Sequence, residues 1–206
     1  MDTTIIRLDQ KDKTYCFIAE EMRKAMEKTG HIVILEDIRS LPKVEAQNRI
    51  ILTIRGTEEV NMLLREFDSQ ELPASEPQGY SIRRITHQSF TDWYIIGYDK
   101  NGAMYGGFEF AQTVQLKGFA ALSDCDKIPY IKSRGIKFNI PLDARTPSYS
   151  DCGDSAQANI INMWDIDFWQ EFLDEMARDY YNVLSLWSLH PFPSIVKVPE
   201  YPKVAL

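Results

Sequence analysis

Five residues, Asn139, Asp143, Arg145, Trp187 and His190, combine side-chain types that suit recognition of a polyhydroxylated ligand. Arginine and aspartate hydrogen-bond hydroxyls or a carboxylate with fixed geometry, and a tryptophan stacks on the apolar face of a pyranose ring. Asn139, Asp143 and Arg145 end or follow the apolar run 135–140, and Trp187 and His190 end or follow the run 183–187. Asp151 and Asp154 lie further along the first of these stretches. Each of the five also has a plainer reading. Asp143 and Arg145 are two apart and can order their own loop. His190 stands before Pro191-Phe192-Pro193 and can hydrogen-bond the backbone of a rigid turn. Trp187 suits a core position, and Asn139 a satisfied polar group in an interior.

Hydrolysis of a glycosidic bond usually needs two carboxyl groups flanking it, roughly 5–9.5 Å apart. The acids near the candidate residues, Asp143, Asp151, Asp154, Asp165 and Asp167, make no convincing pair. Asp165 and Asp167 are better explained as helix-start residues favoured by the helix dipole. The sequence holds no GxSxG, HExxH, P-loop or GxGxxG pattern. Its three histidines are widely spread, and Cys16, Cys125 and Cys152 form no CxxC pair. A disulfide framework or zinc site is therefore not expected, and Cys16, on an apolar helix face, reads as a small core residue. No catalytic residue, metal or cofactor is assigned.

The formal net charge of −7 argues against nucleic acid as a partner, since a phosphate backbone needs a concentrated Lys/Arg surface. The most basic cluster, Arg83-Arg84, sits in an alternating run and reads as a solvated strand face. No apolar run approaches the roughly 18 residues of a membrane helix. The opening MDTTIIRLDQ lacks the charged-then-apolar pattern of a signal peptide.

The elements that would position the candidate residues follow from periodicity. Residues 4–8 read as a strand and 13–28 as a helix burying Phe17, Ile18, Met22 and Met26, with Gly30 at its C-terminal cap. Residues 31–35 and 49–54 read as strands, and Thr57 opens a helix carrying Val60, Leu63, Leu64 and Phe67 inward. After a Pro/Ser/Gly loop, 80–85 and 93–98 alternate as neighbouring antiparallel strands. Residues 99–102 read as a turn and 103–116 as a helix. These elements make an α/β sandwich with its own core over 1–116, and 117–129 a connector.

Residues 130–206 then read strand (135–140), long loop (143–162), helix (167–181) and strand (183–187). Asp167 and Gln170 fit a capping box, and Asn182 suits the left-handed cap that ends a helix. Rows Phe168/Phe172/Met176/Tyr180 and Trp169/Leu173/Ala177/Tyr181 give this helix a broad apolar face. Strand–helix–strand order implies a parallel crossover. A (β/α)8 barrel takes roughly 250 residues, so the expected architecture is an α/β fold, a sandwich domain followed by the first βαβ unit of a truncated TIM barrel. The remainder of the barrel, or a homo-oligomer, would cover the apolar helix 167–181.

The segment Gly79-Tyr80-Ser81-Ile82, the run from Trp93 to Gly107 and then Gln112 resemble the end of the α/β domain that precedes the catalytic barrel in glycoside hydrolase families 20, 67 and 84. Those domains carry roughly I-x-G-x-D-x-x-G-x-x-Y-G, followed by a helix containing Gln. Their next marker, an Arg-Gly at the start of the first barrel strand, is similar to Arg134-Gly135 here. The α-glucuronidase-like group is the most similar, and the resemblance covers most of residues 79–190. It implies the N-terminal portion of a hydrolase of poly- or oligosaccharides, uronic-acid polysaccharides among them. It also implies catalytic acids on later strands beyond residue 206, leaving this portion inactive alone. In family 20 an Arg shortly after the first strand contacts the innermost sugar; Arg145 is similar but displaced by a few residues. Two other readings stay open: a carbohydrate-binding or scaffold module without turnover, and an unrelated small α/β protein.

Overall fold

The computed structural model describes residues 2–41, 44–66, 72–139, 161–187 and 199–200, the side chains of Glu66, Phe138, Asn139 and Trp187 excepted. The chain divides into two compact units, Met1–Lys132 and Ser133–Leu206.

The first unit runs β1 (Thr3–Leu8), α1 (Lys13–Glu27), β2 (Ile32–Asp37), β3 (Asn48–Ile54), α2 (Glu58–Glu66), β4 (Tyr80–Thr86), β5 (Thr91–Gly97), α3 (Lys100–Lys117) and β6 (Cys125–Lys127). Six strands form one sheet in the order β2-β1-β3-β5-β4-β6. The first four are mutually parallel, while β4 pairs antiparallel with both β5 and β6. Alternation along β5 shows that both faces are covered. Trp93 meets Phe110 of α3 edge-on, whereas Ile96 packs with Val60 and Leu63 of α2. Burial on both faces explains why β3 and β5 read as near-continuous apolar runs. Helices α1 and α3 pack together, with Ile18, Met22 and Met26 fully buried and Phe17 edge-on to Phe108.

Several local expectations are corrected. Helix α3 starts at Lys100, so residues 99–102 are its N-terminus rather than a free turn. Asp99 is the cap: one carboxylate oxygen accepts from the Gly102 amide at 2.8 Å, the other from the Gln78 amide at 3.0 Å. Cys16 is half-buried, its thiol donating to the Gln10 carbonyl at 3.3 Å, because it sits at the margin of the apolar stripe. Arg83 is not a solvated side chain. It donates to both oxygens of Asp126 (2.8 and 2.9 Å) and to the Cys125 carbonyl, and so fastens the short edge strand β6. Residues 117–129 therefore contribute a strand to the sheet.

The seam between α3 and its neighbours has no space for side chains. A Cβ at Gly106 would lie 2.8 Å from Ile95 Cγ2 and 3.0 Å from the Tyr80 ring. One at Gly107 would overlap Ile18 of α1, and one at Gly102 would overlap the Gly79 carbonyl oxygen.

The second unit contains β7 (Gly135–Asn139), α4 (Ile166–Arg178) and β8 (Val183–Trp187). β7 and β8 are parallel and in register from Gly135↔Val183 to Asn139↔Trp187. Helix α4 is capped by Asp165, which accepts from the Asp167 amide at 2.9 Å, rather than by Asp167. It ends before Tyr180, and Tyr180 takes the left-handed conformation (φ 63°) expected of Asn182. Asn182 instead uses its side-chain oxygen to accept from the Arg134 amide at 2.8 Å, while Arg134 Nε donates to the Tyr180 carbonyl at 2.6 Å. On α4 Met176 is buried, and Phe168, Trp169 and Phe172 form an aromatic cluster. Trp164, Ile166 and Leu173 are exposed.

The seam predicts an ordered pair of effects. Alanine at 107 meets a side chain that can move, so Gly107→Ala should cost about 1–3 kcal/mol, less the roughly 1 kcal/mol that alanine contributes to a helix. Alanine at 102 meets backbone, so Gly102→Ala should lower the urea midpoint further. Equal midpoints, or the reverse order, would contradict the seam.

Candidate functional site

The register of β7 and β8 decides where the candidate residues stand. Asn139 and Trp187 are strand partners at the shared C-terminal end of two parallel strands. Asp143, Arg145 and His190 lie outside the described residues, as do Asp151 and Asp154. The Arg-Gly pair that begins β7 has a physical reason. A Cβ at Gly135 would lie 2.8 Å from both Cβ and the carbonyl oxygen of Val183, so only glycine lets the two strands meet there. Arg134 clamps the end of α4 to the start of β7 through its contacts to Tyr180 and Asn182. The strand ends are thus held from below by backbone-level contacts.

The first unit holds a charged cluster that the sequence did not reveal. Arg49 on β3 and Asp92 on β5 are register partners. Two parallel hydrogen bonds join them, Nε to Oδ1 and Nη2 to Oδ2, both 2.6 Å. Asp92 is buried (5% exposed), and its Oδ2 also faces His87 Nε2 at 3.1 Å. The Arg49 guanidinium lies 3.9 Å over the Phe90 ring, whose centroid is 4.3 Å from that of His87. The Asp92 carboxylate, chiefly by hydrogen bonding, raises the pKa of the guanidinium further. This cluster edges a cleft of about 410 Å³ lined also by Glu45, Gln47 and Ser89. Its chemistry is spent internally: the carboxylate is held by Arg49 and His87, and the Phe90 ring is covered by the same two residues. It is a polar tie between β3 and β5, not an acid–base pair. The pair escaped the sequence because 43 positions separate its members and only strand register brings them together.

A second cleft, of about 620 Å³, opens at the C-terminal end of β3. It is lined by Arg55, Gly56, Val60, Asn61, Leu64, Leu72, Pro73 and Ser75. Among the described residues no group of three or more His, Cys, Asp or Glu is arranged to hold a metal ion, and no helix is long and apolar enough to cross a membrane.

No protein-family model matches the chain, and no curated protein matches it either. Among solved structures, a GH138 enzyme targeting pectin rhamnogalacturonan II is similar, with a TM-score of 0.66 at 20% identity. The match covers 98% of this chain and 26% of that enzyme, so the chain spans about a quarter of its length. A GH84 protein, CpGH84D, matches with a TM-score of 0.47 at 10% identity over 66% of this chain and 22% of its own. The chain thus has an α/β fold, with a mostly parallel central sheet and packed helices, similar to that of the GH138 enzyme.

The Arg49–Asp92 tie can be checked by stability. Asp92→Asn removes one partner of a largely buried pair and should cost about 3 kcal/mol. His87→Ala, at a half-exposed position, should cost under about 1 kcal/mol. Urea midpoints of the two variants measure the difference, and a larger loss at His87 would contradict the assignment.

Proposed function

We propose that this chain is the N-terminal portion of a glycoside hydrolase acting on a poly- or oligosaccharide. In this reading residues 1–116 form an accessory α/β domain, 117–129 a connector that lends its sheet the edge strand β6, and 130–206 the opening of a (β/α)8 barrel. The observation that supports this reading most strongly is the parallel β7–α4–β8 unit, whose strands end together at Asn139 and Trp187. In barrels of this kind ligands bind at the C-terminal ends of the strands and in the loops that follow. The fold likeness to the GH138 enzyme supports it as well, because that match takes in both units of this chain.

In this reading Asn139, Asp143 and Arg145 hydrogen-bond sugar hydroxyls or a uronic carboxylate. Trp187 stacks on a ring face, and His190 contacts the same ligand. No residue here is catalytic; the acid pair that hydrolysis requires belongs to further strands of the barrel. Those strands, or a second copy of the chain, cover the exposed Ile166 and Leu173 of α4 and Trp164 just before it.

Calorimetric titration of the 206-residue protein with oligosaccharides from pectin rhamnogalacturonan II, with product analysis, tests the proposal. Binding without bond cleavage is expected, and Trp187→Ala should weaken it by about tenfold, or 1.4 kcal/mol. Cleavage by this chain alone would overturn the assignment of the acids elsewhere. Binding unchanged in Trp187→Ala, or no binding at all, would overturn the site.

A further inference from the structure

The cleft beside β3 contains an arginine in an unusual state for this protein. Arg49 and Arg83 each grip an aspartate through two hydrogen bonds. Arg55 is half-buried, yet among the described residues its side chain makes no hydrogen bond or ion pair, and its Nη2 is shielded from solvent without a partner. The Tyr98 ring lies beside it, 5.9 Å from the guanidinium to the ring centroid. A shielded guanidinium nitrogen without an acceptor is costly, and a carboxylate is the acceptor whose two oxygens match its fork.

The rest of the cleft narrows the ligand class. Val60, Leu64, Leu72 and Pro73 offer an apolar wall, and Asn61 and Ser75 offer polar groups. Glu58 and Glu59 follow Gly56 of the cleft in the first turn of α2, and their negative charge disfavours a multiply charged anion such as phosphate more than a singly charged one. The cleft opens at the C-terminal end of a parallel strand, the edge at which open α/β sheets commonly take ligands. We infer that this cleft binds a small organic monocarboxylate, with its carboxylate on Arg55 and its apolar body against Val60, Leu64 and Leu72. This cleft belongs to the first unit, and the inference does not depend on the function proposed for β7 and β8.

The test is an amide-resolved NMR titration of the full chain with sodium butyrate, with butyramide as the uncharged probe and chloride holding ionic strength constant. Butyrate should shift the amides of Arg55, Gly56 and Asn61 saturably, and butyramide should not. Arg55→Gln should weaken butyrate binding at least about tenfold, with an otherwise unchanged spectrum as the check on folding. Arg55→Lys keeps the charge but loses the fork, so it should bind butyrate more weakly than wild type and serves if the glutamine variant fails to fold. Equal shifts from butyramide, no shifts at these amides, or butyrate binding unchanged in the arginine variants would overturn the inference.

Discussion

Helix α3 lies so close to β4 and α1 that Gly102, Gly106 and Gly107 have no room for a Cβ. That closeness brings Phe110 against Trp93 and fully buries Phe110 together with Ile18 and Met22. Asp99 fixes the start of the same helix by capping Gly102 with one oxygen and holding Gln78 with the other. A single carboxylate therefore ties the entrance of β4, the end of β5 and the first turn of α3. The opposite sheet face is closed by α2, where Val60 and Leu63 pack on Ile96, so the central strands β3 and β5 are buried on both sides.

The second unit repeats this logic at smaller scale. Gly135 permits a backbone approach to Val183, and Arg134 with Asn182 locks the helix end to the strand start. Register then leaves no freedom: with Gly135 opposite Val183, Asn139 must stand opposite Trp187. A slip of one residue would send every side chain to the other face. The tight contacts sit at the N-terminal ends of the strands.

Much of this was legible in the sequence. The alternation of 80–85 and 93–98 gave an antiparallel pair, and the apolar stripe of α1 gave its buried face, because both signals are local and periodic. What stayed hidden depends on register or on caps. Residues 99–102 look like turn chemistry, yet the same Asp and Gly serve as helix cap and first turn once the chain docks on the sheet. Asn182 is an intrinsically better left-handed residue than Tyr180, but its side chain is committed to Arg134 and Tyr180 takes the strained position. The edge strand β6 is three residues long, below what periodicity resolves, and is held by Arg83 and Asp126 instead. Of the candidate site, sequence pattern placed strands over 135–140 and 183–187, and the observed strands end at Asn139 and Trp187. It gave no hint that Arg55 faces a cleft, since a lone arginine after a strand is ordinary until its partners are known.

The proposed carbohydrate site is tested by amide hydrogen exchange across the whole chain, with and without a pectin-derived oligosaccharide. Slowed exchange is expected at the C-terminal ends of β7 and β8, around Asn139 and Trp187, with β1 to β6 unchanged. Protection confined to residues 2–132 would place the binding surface on the first unit and contradict it.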